Sequence, residues 1–409
     1  MNFESAYFNS AKPNAFMKTI RYSTLLLGLF LGGATALPAQ VFNSGSDGSY
    51  GPLNVTSNTV LDLPPDGVFH CTTITVDANV LLLFNRNALN TPVYLLAQSN
   101  VVINGYIEVS GVSRDGVIFS NAGRGGPGGF DGGFGFVQGY AAGDGQGPGA
   151  GRVADAPGGV FAFPSGANSN VYGNTLLSPL VGGSGGAGSP QPNVQGIRYD
   201  GGGGGGGALL IASSTSIALN NTRSDSYNLY SSGGHGYGYS GGGSGGALRL
   251  VAPVVQGNGR ISVAGGGREA GTGYNGTDGR IRIDTLDRFA WRNLGFVNGK
   301  WSIGSQMYVF PPGNPRLNIV EAAGQTVAEG TNAPVIVSLP PGSSTNQVIK
   351  VKAAGFTGSV PVTVAVVPEA GPSSRFDGVI TVIGGNPTVG NINVVIPVDS
   401  FCNIKVWTR

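Results

Sequence analysis

The chain has 409 residues, of which 73 are glycine and only 11% are charged, with 23 basic and 21 acidic side chains. This charged fraction is low for a soluble domain, where about 25% is usual. The nearly neutral balance excludes the basic field that a nucleic-acid-binding protein presents. Two cysteines, Cys71 and Cys402, are too few and too far apart for a disulfide framework. We interpret them as two small buried hydrophobic residues, with a disulfide between them as the alternative.

The first 39 residues are predicted to be a secretory signal peptide. Lys18 and Arg21 form a positive n-region, and Leu25–Gly33 forms a short apolar segment. Ala34-Thr35-Ala36 is typical of a cleavage site, with cleavage after Ala39 as an alternative. The apolar segment is shorter than the ~20 residues of a membrane span. The mature protein is therefore expected to be secreted or displayed at the cell surface, with no membrane span.

Met17 stands directly before this unit, so we interpret residues 1–16 as an upstream extension or a misassigned start. Cleavage removes Lys12, Lys18, Arg21 and Glu4, which leaves equal numbers of basic and acidic residues.

Residues 41–111 are predicted to form short β-strands, because β-branched runs alternate there with Asn, Gly, Ser and Pro. The predicted strands are Thr72–Val76, Val80–Phe84, Val93–Ala97, Val101–Ile103 and Tyr106–Val109.

A repeated phrase extends this pattern. The run Gly206–Ala212 recurs as Gly245–Ala252, and Gly259–Gly265 matches Gly105–Gly111. Short strands joined by glycine corners and repeated in this way are typical of a parallel β-solenoid, in which stacked coils bury one continuous core. We assign residues 40–312 to this domain, and we expect Ile107, Ile261 and Ile281 to lie in line inside it.

Residues 112–205 are unusually rich in glycine and also carry aromatic side chains, which argue against plain disorder. We interpret this segment as a long inserted loop that lies over the flank of the solenoid. Packed polyglycine-II-type helices are the alternative. The aromatic segment Thr285–Pro312 is predicted to cap one end of the solenoid through Phe289, Trp291, Phe296, Trp301 and Phe310.

Residues 313–409 are predicted to form a separate Ig-like β-sandwich, because seven short strands with ordinary turn residues follow the boundary at Pro311–Pro315. The predicted strands are Leu317–Val320, Val335–Leu339, Val348–Ala353, Val360–Val367, Val379–Ile383, Ile392–Ile396 and Ile404–Trp407.

Aromatic side chains in the loops between coils are the candidate ligand-binding residues. They are Tyr230, Tyr237, Tyr239 and Tyr274, together with His235. Tyrosine rings can stack on sugar faces and donate a hydroxyl hydrogen bond, but they also fasten loops to a scaffold.

Three aspartates in glycine-rich turns, Asp131, Asp144 and Asp278, could supply oxygen ligands to Ca²⁺. The alternative is that they bind backbone NH groups of their own turns. No other cofactor is expected.

Catalysis by a polysaccharide lyase or a glycoside hydrolase on the solenoid flank is an alternative function, and it would require two nearby carboxyl groups. The candidates are Glu108, Asp115, Asp200, Asp225, Glu269 and Asp278, and none of them forms a clustered acidic motif.

At the run Gly241–Ala247, followed by an alternating strand, the chain resembles glycine-rich exported bacterial proteins of the right-handed parallel β-helix type. Residues 123–207 resemble, more weakly, glycine-rich adhesins whose polyglycine helices present variable loops. The resemblance implies no catalytic residues. It implies a secreted or cell-surface structural or adhesive protein, which we expect to bind an extracellular glycan or a cell-surface or matrix component. Self-association into a filament by end-to-end stacking of coils is a further alternative.

Overall fold

The computed structural model describes residues 42–113, 120–155, 158–190, 200–221, 226–267, 274–311, 313–329, 333–369, 371–398 and 400–408. Residues 42–409 belong to one compact unit. The fold is almost entirely β, with 40% strand against 1% helix. The predicted signal peptide lies outside the described residues. Within them, no helix is long and apolar enough to cross a membrane.

The larger part of the fold consists of parallel strands in a ten-stranded and a six-stranded sheet. The strands are β1 (Gly51–Val55), β2 (Thr59–Asp62), β3 (Val68–Val76), β4 (Leu81–Asn85), β5 (Val93–Ala97), β6 (Val101–Ile103), β7 (Tyr106–Glu108), β8 (Ala208–Ser213), β9 (Ser216–Leu219), β10 (Leu229–Tyr230), β11 (Ala247–Ala252), β12 (Val254–Gly257), β13 (Arg260–Ser262), β14 (Arg280–Thr285), β15 (Gly295–Asn298) and β16 (Lys300–Gly304). A 3₁₀ helix, Ala290–Asn293, lies between β14 and β15. The five strands predicted within residues 41–111 are confirmed, while β1 and β2 were not predicted.

The parallel strands form three stacks, because β3 pairs with β5 through its first half and with β6 through its second half. The first stack contains the first half of β3, then β5, β8, β11, β14 and β16. The second contains β1, the second half of β3, β6, β9 and β12. The third contains β2, β4, β7, β10, β13 and β15. Up to β14 the chain visits the stacks in the same cyclic order, and in the last turn the 3₁₀ helix packs on β12 in place of a strand of the second stack.

Apolar side chains in register fill the space between the stacks. One inward column of the first stack is Phe69, Leu95, Ile211, Leu250, Ile283 and Ile303. The prediction that Ile107 and Ile261 lie in line is confirmed, since both pair with Leu229 in the third stack. The same prediction for Ile281 is wrong, because Ile281 pairs with Leu248 in the first stack. Both copies of the repeated phrase pair in register, with Ala247 opposite Ala208.

The glycine-rich segments form a hydrogen-bonded bundle beside the stacks. In 202–207 each amide donates to one of three neighbouring segments, and the same neighbour returns every third residue. The amides of Gly202 and Gly205 donate to the carbonyl oxygens of Gly133 and Phe130, respectively. Those of Gly203 and Gly206 donate to Gly241 and Ser244, and those of Gly204 and Gly207 donate to Val112 and Val109. Extended chains with three residues per turn and no internal hydrogen bonds produce this pattern. Of the two interpretations of residues 112–205, the hydrogen bonds match packed polyglycine-II-type helices.

Close approach of backbones explains why glycine dominates the bundle. A Cβ atom on Gly203 would lie 2.0 Å from the carbonyl oxygen of Gly234, and one on Gly246 would lie 1.9 Å from that of Gly207. Real Cβ contacts are never this short, so a side chain at these positions would push whole segments apart. The bundle is therefore packed through its peptide groups.

Residues 305–310 return along the outer side of the first stack. The buried Arg249 donates to the carbonyl oxygens of Gln306 and Tyr308, both at 3.1 Å, and pairs with the buried carboxylate of Asp284. Farther along, the Phe310 ring lies 5.0 Å from the ring of Tyr94 in β5. This return carries the chain from the last layer of strands back to an early one before the C-terminal domain begins.

The C-terminal part consists of two antiparallel sheets that share an apolar core. Its strands are β17 (Arg316–Ala322), β18 (Gln325–Thr326), β19 (Asn346–Ala354), β20 (Gly358–Pro368), β21 (Ser374–Val382), β22 (Thr388–Val395) and β23 (Cys402–Thr408). Six of the predicted strands correspond to these. The prediction of a strand at Val335–Leu339 is wrong, and the short β18 was not predicted. Cys71 and Cys402 are both free thiols.

Replacing a single bundle glycine by alanine is expected to destabilise the protein. Gly203→Ala places a Cβ atom against three backbone atoms that belong to Gly234 and Gly243. We expect the free energy of unfolding to fall by about 3 kcal/mol or more, the upper range for overpacking. Gly295→Ala is the matched control, because its Cβ meets only the Arg260 side chain, at 3.1 Å. Equal denaturation midpoints for the two variants would contradict the close-packed bundle.

The two thiols are expected to differ in reactivity. Cys71 is fully buried, and burial raises its pKa to about 12, while Cys402 is half-buried. Because the thiolate is the reactive form, a thiol reagent at mildly alkaline pH should label Cys402 alone in the native protein. Both residues should be labelled after denaturation, as read by mass spectrometry. A chain that incorporates no label in denaturant would instead contain the alternative disulfide.

Candidate functional site

The ends of the glycine bundle that lie farthest from the sheets carry its loops. Segments that begin at 109, 231 and 263 leave β7, β10 and β13, and segments that end at 207, 246 and 279 lead into β8, β11 and β14. All six therefore meet the stacks at one corner. At about 3.1 Å per residue, a six-residue segment such as 231–236 places its loop roughly 15 Å from that corner.

Four of the five predicted ligand-binding residues lie in two adjacent loops at this far end. They are His235, Tyr237, Tyr239 and Tyr274, which we call the aromatic rim. His235 is exposed and the three tyrosines are partly exposed. The loops are joined because the amide of Gly242 donates to the carbonyl oxygen of Tyr274 at 2.9 Å.

Backbone hydrogen bonds fix the first of these loops. Ser240 closes a turn, since its amide donates to the carbonyl oxygen of Tyr237 at 2.9 Å and its hydroxyl accepts from the amide of Tyr237 at 2.8 Å. The amide of His235 donates to Ser113 Oγ at 3.0 Å, and that of Gly236 donates to Gly267 at 3.0 Å. The rim thus rests on a base whose peptide groups are already bonded.

Tyr230 lies apart from the rim, in β10 of the third stack. Its hydroxyl accepts a hydrogen bond from the amide of Tyr227 at 3.2 Å, and the two rings meet edge to face at 5.2 Å. Burial raises the pKa of Tyr230. Tyr230 therefore supports the loop after β9 and does not belong to the rim.

A second loop at the far end of the bundle contains aromatic residues that the sequence analysis did not select. Val137 and Tyr140 close a tight turn, and the amide of Phe136 donates to Ser189 at 3.0 Å. Tyr140 is 49% exposed, and its ring also lies against Gly371 of the C-terminal domain. The closely spaced aromatic residues between Phe134 and Tyr140 were a signal that could have identified this loop.

The carboxylate of the candidate calcium ligand Asp131 forms ion pairs with two basic side chains. Its carboxylate pairs with Arg86, accepts from Lys405 Nζ at 2.7 Å and accepts from the amide of Gly125 at 2.9 Å. Burial alone would raise the pKa of Asp131, but the charges of Lys405 and Arg86 outweigh it and hold the pKa well below its usual range. Asp131 therefore joins the bundle, the segment after β4 and the C-terminal domain.

The other two aspartates bind backbone amides, as the alternative interpretation expected. Asp278 accepts from Gly265 at 2.9 Å and from Gly299 at 3.2 Å. Asp144 accepts from Val153 at 2.8 Å and lies 3.9 Å from Arg375 of the C-terminal domain. In the described part of the chain, no three His, Cys, Asp or Glu residues are grouped so that they could hold a metal ion.

The candidate carboxylates for glycan cleavage lie on different elements. Glu108 is in β7, opposite Tyr230, while Asp200 is buried at the start of a bundle segment and Asp278 precedes β14. Asp115, Asp225 and Glu269 lie outside the described residues.

Lowering the pH is expected to weaken the contact at Asp131. The folded pKa of Asp131 lies below its unfolded value of about 3.9, so the carboxylate contributes stability above that value and loses it as the pH falls towards the folded pKa. Asp131→Asn should lower the free energy of unfolding by about 2–3 kcal/mol near neutral pH, because Lys405 and Arg86 keep their charges but lose the carboxylate that they share.

Melting temperatures between neutral and strongly acidic pH would test this expectation. The difference between the wild-type protein and Asp131→Asn should shrink as the pH falls. A difference that stays constant would mean that Asp131 does not contribute through its charge. Glu329→Gln provides a control, because that carboxylate pairs with Lys352 at the surface of the C-terminal domain.

No protein-family model, curated protein or solved structure matches this chain.

Proposed function

We propose that this is a secreted or cell-surface adhesive protein that binds an extracellular glycan, without cleaving it, through the aromatic rim. In this proposal the three stacks are a right-handed parallel β-helix that serves as a rigid body. The repeated cyclic order in which the chain visits the stacks from β1 to β14 supports a β-helix. The two antiparallel sheets of the C-terminal part, with one shared core, support an Ig-like sandwich as the accessory module.

The observation that carries the proposal is the placement of the rim. His235, Tyr237, Tyr239 and Tyr274 lie in adjacent loops, and the segments beneath them are bonded to several neighbours each. A ligand that contacts the rim therefore meets side chains whose backbone is already ordered. Preordered aromatic residues bind at a low entropic cost, because little freedom is lost on binding.

The chemistry of the rim suits a sugar chain. Tyrosine rings offer flat apolar faces to the C–H groups of a pyranose, and their hydroxyl groups can donate to sugar oxygens. His235 is exposed beside them and adds a ring with both a donor and an acceptor nitrogen. Because the rim lies on loop tips instead of in a closed pocket, we propose a polysaccharide or a surface glycan as the ligand.

The proposal predicts that removal of the three rim tyrosines weakens glycan binding. Tyr237→Ala, Tyr239→Ala and Tyr274→Ala together should lower the affinity about tenfold or more, since each aromatic contact is worth roughly 0.5–1.5 kcal/mol. The measurement is binding of purified protein to a glycan array, followed by titration calorimetry with the best ligand. Phe401→Ala is the matched control, because Phe401 is 83% exposed on the C-terminal domain.

Two results would contradict the proposal. One is a triple variant that folds normally, as judged by its melting temperature, and still binds every glycan as the wild type does. The other is a wild-type protein that depolymerises its ligand and loses this activity in Glu108→Gln or Asp278→Asn, which would favour the alternative of a lyase or hydrolase.

A further inference from the structure

We infer that the stacks of one copy meet those of a second copy head to tail, with the C-terminal end of one body joined to the N-terminal end of the next. Four features of the two ends carry this inference: an offset between the stacks, the register of the strands, an exposed apolar layer and opposite charges. The interface does not involve the aromatic rim.

The first feature is an offset of one layer between the stacks. The chain enters the stacks at β1, in the second stack, and leaves them at β16, in the first. At the C-terminal end β16 therefore extends one layer beyond β15 and the 3₁₀ helix. At the N-terminal end the first half of β3 lies one layer behind β1 and β2. At the N-terminal end Tyr50 lies beside the first half of β3, since its amide donates to the carbonyl oxygen of His70 at 2.8 Å and its ring meets that of Phe69 edge to face at 5.4 Å. Tyr50 is itself 46% exposed, so the projecting β16 of one copy would meet the Tyr50 side chain of the next.

The second feature is the register that the stacks impose. Ile303 of β16 belongs to the inward column that starts at Phe69 of β3. Because Tyr50 covers Phe69 at the N-terminal end, Ile303 of one copy would meet the Tyr50 ring of the next copy at the end of this column. In the third stack, Phe296 would lie opposite Thr59 if the register continues between copies.

The third feature is the apolar surface of the C-terminal end. Trp291, Phe296 and Trp301 close the core there, and the rings of Phe296 and Trp301 are stacked at 5.1 Å. Trp301 is nevertheless 51% exposed, and Phe289, directly before the 3₁₀ helix, is 66% exposed. Phe310, which the sequence analysis placed with these residues, instead lies on Tyr94 in β5. In the described part of the chain nothing pairs with the outer edge of β16, so the apolar layer and the open strand edge coincide.

The fourth feature is the charge of the two ends, which decides the occupant. Arg288, Arg292 and Lys300 are exposed at the C-terminal end, and the only acidic side chain among residues 286–304, Asp287, is half-buried. Exposed Asp47, Asp62 and Asp66 surround the N-terminal end. Because each end carries charges of one sign, two identical ends would repel each other. Opposite signs at opposite ends favour head-to-tail contact, which is heterologous and continues into a filament.

The test measures the size of the purified full chain by sedimentation velocity at rising concentration and at low and high salt. We expect species that grow by one copy at a time and that shorten at high salt, with rods visible by electron microscopy. The combined variant Arg288→Glu, Arg292→Glu and Lys300→Glu should weaken association about a hundredfold or more. Lys300→Glu alone should weaken it in part, while Arg316→Glu, on β17, should have no effect.

A charge-swap experiment separates this interface from other contacts. Asp47→Lys, Asp62→Lys and Asp66→Lys together should also give monomers. Mixing the two triple variants should restore rods, because each then meets an end of opposite charge. Melting curves establish that each variant is folded. If a triple variant fails to fold, the single variants Asp62→Lys and Arg292→Glu provide a second pair for the same experiment.

Several outcomes would overturn the inference. They are a wild-type monomer at the highest concentration in low salt, a closed dimer that is insensitive to the charge reversals, and a mixture that stays monomeric. The monomeric triple variants retain the aromatic rim, so their glycan binding is expected to be unchanged. Failure of the filament and failure of the proposed glycan binding can thus be distinguished.

Discussion

The close approach of backbones in the glycine bundle is the constraint on which the rest of the structure depends. The three long connections from the third to the first stack, which follow β7, β10 and β13, pass through the bundle, and each forms hydrogen bonds with its neighbours there. A single Cβ atom at Gly203 or Gly246 would collide with a carbonyl oxygen about 2 Å away. The bundle therefore ties successive layers of strands together at their corner. It also supplies the surface on which the C-terminal domain packs, through Phe130 and Trp407 with ring centroids 5.7 Å apart.

Two clusters of buried or partly buried charges lie at joints between parts of the fold. Asp131 connects the bundle to Arg86 and to Lys405 of the C-terminal domain, and Asp284 connects Arg249 and Arg282 beneath the returning segment 305–310. Removing water from such charges is costly unless each finds a partner. In both clusters one carboxylate accepts from two basic side chains and from a backbone amide. These joints consequently define one arrangement of the neighbouring segments.

The sequence allowed the all-β class, most strand positions and the pairing of Ala208 with Ala247 to be predicted, because β-branched runs and a repeated phrase are local signals. The prediction for Ile281 named the wrong stack. A match between two sequence segments shows which residues of a strand point inward, but it does not show to which stack the strand belongs. Whether 112–205 is a loop or a bundle depends on partners such as Gly234 and Gly241, far along the chain. The four residues of the rim could be selected because aromatic residues are concentrated in these loops. Tyr230 was grouped with them because the sequence does not show how far each residue lies from the sheets.

The way in which the bundle is packed also affects how the fold responds to temperature. Apolar surface raises the heat capacity of unfolding when it is exposed, whereas exposed peptide groups lower it. A bundle that buries peptide groups with few apolar side chains contributes little to that heat capacity, or opposes the contribution of the stacks. We therefore expect the stability curve of this protein to be flatter than its length implies. Cooling, which weakens hydrophobic burial, acts on the stacks far more than on the bundle that connects them.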